Sequence, residues 1–194
     1  MRFSRFALLL IFTLLGCQVL KQAVAPRATA YDLMVKPWHR YGVIKEDVTD
    51  MLASADVVFM SCELRKMMVE YKKTVGLITP AEAEELYRRE ESTCRAYYDF
   101  LVALYTKRID WNNLDQENPF FRVFLKAEDT VRKPQLVKAV ELKDDEISTF
   151  YPFVEPWMKV YLVRFGRAGL EDAKELTLEL VSLSGRISLT WRLQ

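Results

Sequence analysis

Few side chains in this sequence could carry covalent chemistry: three cysteines and one histidine in 194 residues. A thiol can be acylated, can ligate a metal or can pair in a disulfide. Cys17 ends an apolar run near the amino terminus, whereas Cys62 and Cys94 lie within the body of the chain. With His39 as the single histidine, a histidine-rich zinc site and a Cys–His pair are not expected. We expect His39 to be a surface residue.

Other motifs give no catalytic or metal-binding pattern. There is no GxSxG motif, and SLSGR at 182–186 is better explained as a turn between strands. DWNNLDQE at 110–117 fails the calcium-loop pattern, because Leu114 occupies a ligand position and the glycine is missing. The acidic residues of 82–91 alternate with arginines, which is typical of a solvated helix face. The sequence therefore predicts no catalytic residue, no metal and no cofactor.

The first sixteen residues have the composition of an export signal. Arg2 and Arg5 precede an apolar run from 6 to 15, and Gly16 follows it. This run is too short to span a bilayer, which needs about 20 apolar residues. Residues 1–16 are therefore predicted to be a signal peptide.

Leu14, Leu15, Gly16 and Cys17 together resemble the lipobox of bacterial lipoprotein signals. The resemblance implies cleavage between Gly16 and Cys17 and lipidation of Cys17, which would anchor the protein to a membrane of the cell envelope. Gln18 favours the outer membrane in this class, with the inner membrane as the alternative. An ordinary secretory signal with an incidental Cys17 is the other interpretation.

The chain after the signal, 194 − 16 = 178 residues, is long enough for one domain. It carries 28 − 2 = 26 basic and 27 acidic side chains, without a basic block, so no nucleic-acid partner is expected. The stretch 17–47 lacks a sustained hydrophobic period and is predicted to be a tether. The domain is predicted to span 48–194.

Alternating and β-branched segments dominate that domain. Strands are predicted at 55–61, with a start near Val48, and at 97–106, 120–127, 135–142 and 158–165, followed by a hairpin over 176–193. Asp144, Asp145 and Glu146 are expected in a hairpin turn. Without crossover helices after residue 97, the pattern predicts a mainly β fold, an antiparallel β-sandwich that is immunoglobulin-like in general architecture.

A two-helix hairpin is predicted as an insertion at about 62–96. Residues 63–77 have helical spacing, and Thr79, Pro80 and Glu82 form a capping box at the start of a second helix. Antiparallel helices would bring Cys62 and Cys94 to the same base. A disulfide between them and two buried free thiols both remain open.

An aromatic group at 150–157 contains Phe150, Tyr151, Phe153 and Trp157. The prolines at 152 and 156 would bend the chain there and could expose the rings as a binding surface. Packing in the core is the other use of such rings.

Several segments are similar to an uncharacterised group of envelope lipoproteins of deltaproteobacteria. They are FLVALYT, WNNLD, FFRVFL, FYPFVEPWMKVYLVRF and LSGRISLTW, within 48–191. The resemblance supports the sandwich and implies no activity. We therefore expect a non-catalytic binding or assembly module that offers a sheet edge or the hairpin tip at 75–80 to an envelope protein. The alternatives are a carrier with a small apolar ligand between sheet and hairpin, and an envelope enzyme.

Overall fold

The computed structural model describes residues 28–193. Within this range the strands form two antiparallel sheets, with the orders β1-β2-β3-β7-β6 in sheet A and β5-β4-β8-β9 in sheet B. The strands are β1 (His39–Lys45), β2 (Met51–Phe59), β3 (Tyr97–Thr106), β4 (Arg122–Ala127), β5 (Thr130–Arg132), β6 (Leu136–Ala139), β7 (Lys159–Gly166), β8 (Glu175–Ser182) and β9 (Gly185–Arg192). The predicted antiparallel β-sandwich is confirmed.

Three α-helices accompany the sheets in the described range: α1 (Cys62–Thr74), α2 (Pro80–Ala96) and α3 (Asp144–Phe150). Helices α1 and α2 form the predicted hairpin between β2 and β3. The hairpin turn predicted at Asp144, Asp145 and Glu146 is wrong, because these residues form the first turn of α3. Acidic side chains are favourable there, since they face the positive end of the helix dipole.

The ordered fold begins earlier than the predicted tether boundary at residue 47. Tyr31–Val35 and Lys36–Trp38 form two short helical turns, and β1 then pairs along β2. Gly42 allows β1 to approach β9 closely, because a Cβ at this position would overlap Cγ2 of Ile187. This contact between sheets produces no hydrophobic period within residues 39–45, so the local sequence pattern does not indicate a strand there.

The main core lies between the two sheets. Alternate residues of β2, β3 and β7 face inward from sheet A and meet the inward residues of β4, β8 and β9. The largest side chains that are fully buried in this layer are Trp191, Tyr161, Phe100, Phe121, Phe165, Leu104, Leu125, Leu176, Leu178 and Leu180.

A second core covers the outer face of sheet A. Val58, Leu101, Ala103 and Val160 project from the strands and pack against side chains of α1, α3 and the turns before β1. Sheet A is therefore buried on both faces, as expected from the apolar residues at both parities of β2 and β3.

The strand register defines two ends of the sandwich. At the hairpin end, β2 stops and β3 starts, since Phe59 pairs with Phe100. The opposite end, called the loop end below, carries the β1–β2 turn, the segment after β3 and the β8–β9 turn. Val48 lies in the β1–β2 turn, so β2 starts at Met51 instead of near Val48.

Candidate functional site: the helical hairpin and the outer face of sheet A

Local capping fixes both helices of the hairpin. The Ser61 side chain accepts a hydrogen bond from the Leu64 amide at 3.1 Å at the start of α1. The predicted capping box at the start of α2 is present, with Thr79 and Glu82 bonded to each other's backbone amides. Between the helices, Gly76 adopts a φ of +78°, which favours glycine after a helix end.

A disulfide closes the base of the hairpin. Cys62 in the first turn of α1 is bonded to Cys94 in the last turn of α2, with a Cα–Cα distance of 5.3 Å. Of the two interpretations left open by the sequence, the structure shows the bonded one. The crosslink holds together the two points at which the insertion leaves and re-enters sheet A.

Beside the disulfide, a buried ionic cluster connects the hairpin to sheet A. Asp99 on β3 is only 1% exposed, and Arg65 of α1 donates to its Oδ2 atom at 2.7 Å. Arg164 of β7 donates to both carboxylate oxygens, each at 2.7 Å, and these hydrogen bonds raise the pKa of its guanidinium. Arg65 also pairs with Glu90 of α2. Two helices and two strands therefore share one network.

This cluster was not predicted from the sequence. Arg65 lies 34 residues from Asp99 along the chain, and only the hairpin brings them together. The signal available was Asp99 itself, a single acid inside the otherwise apolar strand segment YYDFLVALYT. A buried carboxylate needs a paired cation or several hydrogen bonds, so its presence in such a strand indicates a partner.

The tip of the hairpin is apolar and exposed. Val75 and Leu77, on either side of Gly76, are 49% and 61% exposed. Their chain path is fixed by turn hydrogen bonds, because the amides of Val75 and Leu77 donate to the carbonyls of Tyr71 and Lys72. A fixed base and a defined turn therefore present two apolar side chains to the surroundings.

The predicted aromatic binding surface is wrong for Phe150 and Tyr151. Both are buried, and Tyr71 of α1 contacts the Phe150 ring edge-on at 5.4 Å between centroids. Burial raises the pKa of the Tyr151 hydroxyl. Phe153 is half-buried, and only Trp157 of the four is exposed. Phe150 is the last residue of α3 and Tyr151 caps this helix, so both rings pack in the core on the outer face of sheet A.

The same packing bears on the alternative function as a carrier. Leu64, Phe150 and Tyr151 fill the space between sheet A and α1. An apolar ligand placed there would have to displace these side chains.

His39 is not the surface residue that the sequence suggested. Its side chain is 13% exposed and lies between Asp56, whose Oδ1 is 2.9 Å from Nε2, and Tyr31, whose hydroxyl is 2.7 Å from Nδ1. Phe153 stacks on the imidazole at 4.1 Å. Burial raises the pKa of Tyr31, so the phenol stays protonated and can donate to Nδ1.

Chemically, Tyr31, His39 and Asp56 form a carboxylate–imidazole–phenol chain. Such a chain fixes the orientation of its imidazole. Here its geometry joins the turns before β1 to β2, because Tyr31 lies in the first of those turns. We interpret these hydrogen bonds as a structural link that holds residues 31–38 against β2. Asp56, an acid within the apolar strand β2, was again the available sequence signal.

Gly16 and Cys17 lie outside the described residues. In the 110–117 segment, the Asn112 side chain donates to the Leu104 carbonyl and Asn113 accepts from the Phe120 amide, as in a turn that bonds its own backbone. Within residues 28–193, no group of three or more His, Cys, Asp or Glu side chains is placed to hold a metal ion.

Comparison of the sequence with known families and curated proteins found no match. Among the helices of the described part, none has both the length and the apolar character needed to cross a membrane.

Proposed function

We propose that this protein is a lipid-anchored cell-envelope protein that acts as a non-catalytic binding module. The anchor rests on the export-signal composition of residues 1–16 and on the lipobox resemblance at Leu14 to Cys17. Several acyl chains on one residue make a stable membrane attachment, whereas one chain alone is reversible. The outer membrane is the favoured location because of Gln18.

The hairpin tip is the proposed contact with a protein partner in the envelope. The observation that carries this assignment is the combination of exposed Val75 and Leu77 with a base held by a disulfide and a buried ionic cluster. Because the tip is already ordered, a partner would lose little binding free energy in ordering it.

The anchor is tested by intact mass and fractionation of the full chain in a bacterial host. We expect the wild type in the membrane fraction, with the mass of a chain that starts at Cys17 plus acyl groups. Cys17→Ser should abolish both properties. Soluble protein of unacylated mass in the wild type would contradict the anchor.

The tip is tested by photo-crosslinking in the same cells. A photoreactive residue at Leu77 should give a discrete crosslinked product, and one at exposed Lys66 on α1 should not. Val75→Ser combined with Leu77→Ser should reduce the association, measured by co-purification of that product's partner. The matched control is Val131→Ser combined with Leu136→Ser, two exposed apolar residues on sheet edges. Equal loss in both double variants would count against the tip.

A further inference from the structure

A second exposed apolar surface lies at the loop end, opposite the hairpin base in the strand register. Val48, Ile109 and Leu183 are 88%, 93% and 108% exposed, the highest values among the large apolar residues of the described chain. Each occupies a different loop: the β1–β2 turn, the segment after β3 and the β8–β9 turn. Three separate loops therefore each place one aliphatic side chain in solvent.

Contacts between the loops show that they converge. The Lys107 amide donates to the Leu52 carbonyl at 2.8 Å, and the Lys107 side chain pairs with Asp50, which joins the segment after β3 to the β1–β2 turn. On the other side, a Cβ at Gly185 would lie 3.0 Å from Cγ2 of Ile44, so the β8–β9 turn rests against the end of β1. The three loops that carry these aliphatic residues are therefore neighbours at one end of the sandwich.

Trp157 adds an aromatic ring at this end. Lys159, at the start of β7, pairs with Leu104 near the end of β3, so β7 starts at the loop end. Trp157 precedes β7 by two residues and therefore lies near this end. Its side chain is 64% exposed. Tryptophan is favoured at the boundary between water and the apolar part of a membrane.

Charges around these loops cancel. The loops themselves carry Lys107 and Arg108 against Glu46, Asp47, Asp50 and Asp110, and Lys45 and Arg186 on the adjoining strand ends bring the sum to 4 − 4 = 0. Some are paired directly, including Arg108 with Asp110 at 3.0 Å. Long-range attraction to a charged partner is therefore weak, and the exposed aliphatic groups determine what this surface can bind.

We propose that the loop end inserts Val48, Ile109 and Leu183 into the bilayer that holds the anchor. This inference rests on the proposed lipidation of Cys17. From Cys17 to Ala28 there are 28 − 17 = 11 residues, which span at most about 40 Å when extended. Strand β1, with seven residues, is about 24 Å long. The anchored chain is therefore long enough for the far end of the sandwich to reach the same membrane.

Shape favours lipid over a protein at this surface. Single aliphatic side chains on three loop tips form a set of projections, and a protein would need a matching pocket for each of them. Acyl chains rearrange around projections without such pockets. With this end in the bilayer, the hairpin base would point away from the membrane.

The test uses the full mature, acylated protein in phosphatidylcholine vesicles. With Cys17 acylated and Cys62 bonded to Cys94, an introduced cysteine is the single free thiol to label. An environment-sensitive fluorophore is attached in turn to Val48→Cys, Ile109→Cys and Leu183→Cys. Val131→Cys is the matched control, because it is exposed on β5, towards the other end of sheet B.

We expect blue-shifted emission at the three loop positions, with quenching by lipid-borne nitroxides about twofold or more above that at position 131. Replacing part of the phosphatidylcholine with an anionic lipid should change little, since the charges cancel. Ile109→Asp combined with Leu183→Asp should abolish the signal of a label at position 48. The control pair Val131→Asp and Leu136→Asp should preserve it.

Equal quenching at positions 48, 109, 183 and 131 would overturn the proposal. A protein crosslinked in cells to a photoreactive residue at position 183, together with no lipid quenching at that position in vesicles, would overturn it as well. The mass of the same preparation separates this failure from failure of the anchor. If acyl groups are present and quenching is absent, only the membrane contact is wrong. If acyl groups are absent, the anchor is wrong. The labelled variants are then prepared with Cys17→Ser, so that Cys17 is not a second free thiol, and adding them to vesicles still tests the loop end.

Discussion

Arg65→Met should destabilise the fold far more than removal of an exposed arginine. The substitution keeps most of the apolar side-chain stem and removes the guanidinium, which leaves the buried Asp99 with Arg164 alone. Breaking a fully buried ion pair costs about 3–5 kcal/mol. Because the two hydrogen bonds from Arg164 remain, we expect the free energy of unfolding to fall by a smaller amount, about 2–3 kcal/mol.

A double-mutant cycle isolates the interaction from other effects of each substitution. Free energies of unfolding are measured by urea denaturation at neutral pH for the wild type, Arg65→Met, Asp99→Asn and the double variant. The coupling between Arg65 and Asp99 should be about 1.5–3 kcal/mol. The control cycle uses Arg95 and Glu91, an exposed pair at 2.7 Å one helical turn apart, with an expected coupling of about 0.3–0.5 kcal/mol.

Equal coupling in the two cycles would refute the reasoning. It would mean that burial does not strengthen the contact between Arg65 and Asp99, and that the ionic cluster does not fix the hairpin on sheet A. The disulfide would then be the main constraint at the hairpin base.

Three further predictions concern single features of the fold. Cys62→Ser combined with Cys94→Ser should lower the free energy of unfolding by roughly 3–4 kcal/mol, because the bond closes a loop with a sequence separation of 32; a loss below about 1 kcal/mol in urea denaturation would contradict this. Tyr31→Phe should cost about 0.5–1.5 kcal/mol through loss of the hydrogen bond to His39, whereas Tyr41→Phe, at an exposed site, should change the melting temperature little. The hydrogen bond to Glu70 raises the pKa of Tyr87 to about 12 from 10.0, so its contribution to stability is fully present below pH 10 and is lost as pH rises towards 12. Tyr87→Phe should therefore remove tyrosinate absorbance that appears near pH 12 in the wild type. If the absorbance lost is instead the part that appears near pH 10, the result would argue against the bond.

Elements with strong local signals were predictable from sequence. Strand β3 matches the predicted range 97–106, and the start of α2 follows from Thr79, Pro80 and Glu82. Both depend on neighbouring residues: continuous β-branched and aromatic composition in one case, and capping chemistry in the other. The sandwich class followed from the number and spacing of such strands.

What escaped prediction depends on contacts between distant segments. Strand β1 is stabilised by pairing with β2 and by the close approach of Gly42 to β9, and its own segment HRYGVIK shows no clear alternation. His39 became buried because Tyr31, Asp56 and Phe153 surround it from three other segments. Phe150 and Tyr151 could not be assigned to the core from the sequence, because that requires knowing which segments pack against the outer face of sheet A.

Strand β1 also has a mechanical consequence in the anchored form proposed above. Tension from a membrane-attached amino terminus would enter the fold at the segment 31–38, immediately before β1. There Tyr31 bonds to His39, and the Trp38 carbonyl accepts from the Trp191 indole at 2.6 Å. With the loop end at the membrane, that tension would pull the start of β1 back along the sandwich and peel it from β2 pair by pair. The contacts of residues 31–38 would have to break first, so they protect an edge strand that could otherwise separate one hydrogen bond at a time.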